Sequence, residues 1–240
     1  MALVTETVEY FDGDTKCIGT ATWNSAIEGP KPGVLIGHNW AGRGVASQLC
    51  AEDLAELGYV GFALDVYGDN KTGTSVEENS ALMPPLVENR AALLSRLEAG
   101  LQAAKAHSQI DAKKVAMIGF CFGGLCALDL ARSGADICAA VSFHGILAPN
   151  GLEAKPIKAS VLVLHGYSDP LAPPEDVTAL GSELTQAGCD WQIHAFGHVM
   201  HAFTDRQANA ADMGMMFNAK AKQRSWAATK QLLLESFASA

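Results

Sequence analysis

From Val34 almost to its end, the chain repeats one arrangement: a continuously apolar run of strand length, then a stretch with helical periodicity. "GVLIGHNW" reads as a strand, "GVASQLCAEDLAELG" as a helix ended by Gly58, and "YVGFALDVYG" as a second strand. "VENRAALLSRLEAGLQAAKAHS" follows as a helix with Leu93, Leu94, Leu97 and Leu101 on one stripe. "KKVAMIGF", "ICAAVSFHG", "ASVLVLHG" and the shorter "WQIHAFG" are further strands. They are separated by helices after Cys121 and through "EDVTALGSELTQAG", and "AKAKQRSWAATKQLLLESFA" closes the chain as a helix. Strands that are apolar at every position need cover on both faces, so a parallel sheet between helical layers is predicted. Before Val34, two extended stretches flank Asp12-Gly13-Asp14, which predicts an antiparallel hairpin at the sheet edge. The expectation is an α/β fold: a mostly parallel central sheet with helices on both faces and an antiparallel N-terminal edge, in one domain spanning 1–240.

Composition narrows the function classes. At 49% hydrophobic and 18% charged residues, the 240-residue chain has ample apolar material for a core. Its formal net charge of −9 argues against nucleic acid or an anionic membrane as partner. No window approaches the ~18 apolar residues of a membrane span, and the N-terminus shows no basic, apolar leader, so a cytoplasmic location is expected. Cys17, Cys50, Cys121, Cys126, Cys138 and Cys189 are scattered without a C-x-x-C pair. Neither a disulfide framework nor a metal site is expected, and no organic cofactor.

In an open parallel sheet, ligands bind beyond the carboxyl ends of the strands. The polar residues there are His38, Asn39 and Trp40; Asp65, Tyr67 and Asp69; Cys121; His144; Asp169; and His198 and His201. "IGFCFGGL" places Cys121 in a Gly-x-nucleophile-x-Gly turn between strand and helix, the nucleophile elbow. Acyl transfer by a thiol needs an imidazole to move the proton and a carboxylate to hold the imidazole's tautomer. On this architecture the order is nucleophile, acid, histidine. Cys121, Asp169 and His201 satisfy it, with His198 a competing histidine only three residues away.

"GFCFGG", "HGYSDP" and "HAFT", in this order, resemble the dienelactone hydrolase family of α/β-hydrolases, whose nucleophile is a cysteine. The likeness spans nearly the whole chain and includes "DVYG" and "FHG". It implies an α/β-hydrolase fold and a triad of Cys121, Asp169 and His201, the histidine preceding a small residue and Phe. It further implies an oxyanion hole from the backbone N–H groups of Trp40 and Phe122. The expected substrate is a small lactone or carboxylic ester. A thioesterase or general carboxylesterase of the same fold is the alternative, and a redox-sensing or ligand-binding thiol on an inactive scaffold is the non-enzyme alternative.

The chain departs from the family where a glutamate beside the oxyanion loop takes the thiol proton. That position is Asn39, and an amide cannot act as the base. Direct transfer from Cys121 to His201 is expected instead, giving a thiolate–imidazolium pair at a helix N-terminus. The family's substrate arginine, four residues after the histidine, is here Asp205; Arg206, Arg43 and Arg90 are the candidate carboxylate partners. Tyr67 and Trp40 are expected to line the pocket, and His38, His144 and His165 to be buried and bonded to backbone. "MPPL" and "MGMM" are read as pocket rim or core, and the assembly as a monomer or small homo-oligomer.

Overall fold

The computed structural model describes residues 2–240. Strands β1 (Leu3–Asp12) and β2 (Thr15–Asn24) form the hairpin, turning at Gly13 with φ of 56°. β2 pairs antiparallel with β4 (Val60–Ala63), and β4 pairs parallel with β3 (Lys31–Gly37). From β3 outward, β5 (Ile110–Phe120), β6 (Ala139–Phe143), β7 (Ser160–Gly166) and β8 (Trp191–Phe196) add in parallel. The eight-stranded sheet runs β1-β2-β4-β3-β5-β6-β7-β8. Strand order reverses between β3 and β5, the switch point where such sheets open a crevice at their carboxyl ends.

Alternation along β5 shows why continuous apolarity was required. Val115 and Met117 face one helical layer, Ala116 and Ile118 the other, and all four are fully buried. On the first face pack α4 (Arg90–Ala106), α5 (Phe122–Arg132) and α6 (Pro174–Gln186) through Leu93, Leu97, Leu125, Leu128, Leu180 and Leu184. On the second lie α1 (Val45–Glu56) and the closing α7 (Ala219–Ala238), through Ala51, Leu54, Leu233 and Phe237. Leu94 is only partly buried and borders the α4 stripe. Two short helices not anticipated from periodicity, α2 (Val76–Leu82) and α3 (Pro84–Val87), connect β4 to α4.

Two expected boundaries move, each for a local reason. The strand read across "YVGFALDVYG" ends at Ala63, because the Asp65 carboxylate gathers the N–H groups of Ile18, Gly68 and Asn70 at 2.7 to 2.9 Å and turns the chain. The long helix begins at Arg90 rather than Val87, because the Asn89 side chain accepts the Ala92 N–H at 3.1 Å and caps it there. Among the described residues, no helix is long and apolar enough to cross a membrane.

Candidate active site

Cys121 sits between β5 and α5 with φ of 56° and ψ of −115°, a left-handed backbone that a side-chain-bearing residue adopts only under constraint. The constraint is close packing of glycine backbone. A Cβ on Gly119 would strike the Gly123 carbonyl, and a Cβ on Gly123 would strike the Gly37 carbonyl at the end of β3. These glycines let β3, β5 and the first turn of α5 approach, and the thiol is held partly buried between β5 and α5.

Asp169 and His201 meet from two other strand ends. Asp169 follows β7, His201 follows the loop after β8, and the loops are joined by Tyr167 N–H to Phe196 O at 3.0 Å and Ser168 N–H to Val199 O at 2.8 Å. Gly166 allows the approach, since the Val199 and Met200 carbonyls lie 2.6 Å from where its Cβ would stand. His201 Nδ1 is 2.7 Å from Asp169 Oδ2, and both residues are 2% exposed. The other carboxylate oxygen accepts the Leu171 N–H at 2.8 Å. His201 Nε2 is buried without a formed hydrogen bond among the described residues, yet it stands near enough to Cys121 for the thiol to act on its titration. Burial disfavours the imidazolium, but the Asp169 hydrogen bond and the Cys121 side chain outweigh it and raise the His201 pKa to about 10. His198 lies outside this arrangement, on a turn at φ of 61°.

The segment containing "MGMM" backs His201: its N–H donates to Gly214 O at 2.9 Å, and Met216 N–H donates to its carbonyl at 3.1 Å. His144, at φ of 39°, packs edge to face on His201 with ring centroids 5.1 Å apart and shares a hydrogen bond with Thr204 at 2.7 Å. Thr204 completes "HAFT", a role visible only once two distant loops meet.

On the other side of Cys121 lies the loop after β3. Asn39 Oδ1 accepts the Ala41 N–H at 3.0 Å, so the amide that stands where a carboxylate was expected shapes its own loop. Tyr67 donates its hydroxyl to Trp40 O at 2.9 Å and stacks on Phe122 at 5.5 Å. Neither Trp40 N–H nor Phe122 N–H has a protein acceptor among the described residues, as free oxyanion donors require.

The three arginines part company. Arg90 is committed to buried Asp129 by two 2.6 Å bonds, so the expectation that it reads a substrate carboxylate is corrected: its charge neutralises a carboxylate inside α5. Arg206 is solvent-exposed. Arg43 reaches Asn70 Oδ1 at 2.6 Å and keeps a buried Nε without a partner among the described residues. The histidines also differ. His38 is bonded to backbone as expected, His144 binds a side chain instead, and neither ring nitrogen of His165 finds a partner among the described residues.

A sequence model of the dienelactone hydrolase family matches residues 19–237. The chain belongs to that family. A solved structure named m3DLH superposes with a TM-score of 0.94 at 36% identity, covering 99% of this chain and 100% of that one. A dienelactone hydrolase-like promiscuous phosphotriesterase from metagenomic libraries superposes at 0.90, also at 36% identity, over 98% and 99% of the two chains. A candidate carboxymethylenebutenolidase of Yersinia pestis is 29% identical over 210 residues, 82% of this chain and 76% of its own. This dienelactone hydrolase family member is an ester or lactone hydrolase on an α/β-hydrolase fold.

Proposed function

We propose that the enzyme hydrolyses small lactones or carboxylic esters through an acyl-cysteine on Cys121. The observation that carries this reading is a thiol on a left-handed elbow, close enough to act on the titration of His201, whose ring pairs with buried Asp169 at 2.7 Å. Cys121 Sγ gives its proton to His201 Nε2 and forms a bond to the substrate carbonyl carbon. The carbonyl oxygen takes up the π electrons as an oxyanion between the Trp40 and Phe122 N–H groups. The C–O bond to the leaving group then breaks, and His201 returns the proton to the departing oxygen, which in a lactone stays tethered to the acyl chain. Water attacks the thioester, His201 takes its proton, and the C–S bond breaks to release the acid. Asp169 holds the Nδ1–H tautomer throughout. Because the Asn39 amide is too weakly basic to take a proton as a carboxylate would, the thiol proton goes to His201.

A second reading adds phosphotriesters to the substrates, on the strength of the metagenomic relative that shares 36% identity over nearly the full chain. Attack on phosphorus also builds negative charge on an oxygen that the same two N–H groups would hold.

The test is a panel of lactones, p-nitrophenyl esters, acyl thioesters and an aryl phosphotriester ranked by kcat/KM, with mass spectrometry of the quenched enzyme. An acyl mass increment on Cys121, absent from Cys121→Ala, supports the reading. Turnover retained in Cys121→Ala overturns it, and a ranking led by thioesters or the phosphotriester reassigns the substrate.

A further inference from the structure

His38 follows β3 and is 1% exposed, yet both of its ring nitrogens bind backbone, one at Asn39 in the oxyanion loop and one at Val66 in the loop after β4. Val66 N–H approaches Nε2 at 3.2 Å. A backbone N–H can only donate, so Nε2 is the acceptor and the ring proton resides on Nδ1. Nδ1 is 2.7 Å from the Asn39 carbonyl oxygen, and with this tautomer it donates. Gly42 N–H donates to the same oxygen at 3.2 Å. Burial, the largest influence on this ring, pushes its pKa down to about 4, so the neutral tautomer persists through the working range.

The Asn39 carbonyl and the Trp40 N–H belong to one planar trans peptide and point in opposite directions. Two donors anchoring the oxygen therefore aim the N–H at the far side, and they polarise the amide so that its hydrogen is a stronger donor. The His38 ring also packs on Tyr67 at 4.6 Å and on Phe122 at 5.9 Å. Phe122 supplies the second oxyanion N–H, and Tyr67 bonds the Trp40 carbonyl. One imidazole thus touches the supports of both donors.

We propose that His38 is the positioning residue of the oxyanion hole, its Nδ1–H fixing the Asn39–Trp40 peptide. This deepens the acyl-cysteine reading and rests on it. His38 does not touch substrate; it acts through Trp40, so its loss should lower the rate of tetrahedral-intermediate formation and leave thiol reactivity intact.

Two reactions of Cys121 separate these effects. Acylation by p-nitrophenyl acetate passes through an oxyanion, whereas alkylation by iodoacetamide is a displacement that forms none. His38→Asn keeps a donor near the Nδ1 position; His38→Gln places its amide near Nε2 and leaves the Asn39 carbonyl without that donor. We expect His38→Gln to lose about 10- to 100-fold in acylation rate and kcat, less than the full loss of a donor, with KM and alkylation within about twofold of native. His38→Asn should stay within about threefold of native.

Acylation undiminished in His38→Gln overturns the inference, as does a parallel fall of acylation and alkylation, which marks general damage to the site. Should His38→Gln not fold, His38→Asn decides: acylation within threefold supports the proposal, and a drop of tenfold or more with alkylation preserved overturns it. Failure of the native enzyme to acylate Cys121 at all overturns the catalytic reading itself, and this inference with it.

Discussion

His201 Nδ1 and Asp169 Oδ2 lie 2.7 Å apart although 32 residues separate them in the chain, and both side chains are almost wholly shielded from water. A charged hydrogen bond in that setting holds one tautomer and leaves Nε2 turned towards the thiol. Substituting Asp169→Asn keeps the volume but offers an amide that can donate where a carboxylate only accepts. We expect kcat/KM to fall about 10³- to 10⁴-fold, with circular dichroism and the unfolding midpoint little changed. Steady-state kinetics on the best ester of the panel measures it; a loss under tenfold would remove Asp169 from the mechanism.

The pH dependence follows from the raised His201 pKa. Below about 10 the ring retains its proton, so at neutral pH it stands as an imidazolium; above that value the cation is lost. The ring nitrogen NMR signals of His201 in the native protein should therefore report the imidazolium at pH 7 and titrate at about 10. In Asp169→Asn, which removes the hydrogen bond that raises it, the titration should move down. Nitrogen NMR of histidine-labelled protein between pH 5 and 11 gives both curves, and coincident curves would be incompatible with the His201–Asp169 ion pair.

Stability should depend on a carboxylate far from the chemistry. Asp129, fully buried on the nucleophile-bearing helix, neutralises Arg90 at 2.6 Å and Arg132 at 3.2 Å, while Arg132 also binds Glu183 at 2.7 Å. Asp129→Ala strips the anion from between two guanidinium groups. A loss of about 3–5 kcal/mol in urea unfolding is expected, against under 1 kcal/mol for a surface change such as Lys230→Ala. A midpoint unmoved by Asp129→Ala would mean that water or Glu183 can replace it.

The hairpin, the run of parallel strands and the elbow are all local patterns, and each was readable in the chain. Apolar runs in β3, β5, β6 and β7, alternating with helical stretches, announce a sheet buried on both faces because helical cover hides every side chain. Gly119 and Gly123 announce close backbone approach around Cys121 without revealing that the partner strand is β3. The chain order of Cys121, Asp169 and His201 was legible too, because the fold strings its strand ends along the sequence.

What the sequence left open depended on which groups occupy one another. Arg90 looked as available as Arg43 until α4 and α5 packed together and Asp129 claimed it. Asn39 looked like a lost base, and in three dimensions it folds its loop by accepting the Ala41 N–H. His38 looked like any buried strand-end histidine; only the apposition of Val66 on one side and Asn39 on the other assigns its tautomer. Periodicity and backbone demand are written residue by residue, so the chain by itself determined the strands, the elbow and the order in which Cys121, Asp169 and His201 follow the strand ends. Hydrogen bonds between distant loops are short-ranged and each donor or acceptor is spent once, so only the tertiary structure decided which polar groups remain free to meet a substrate.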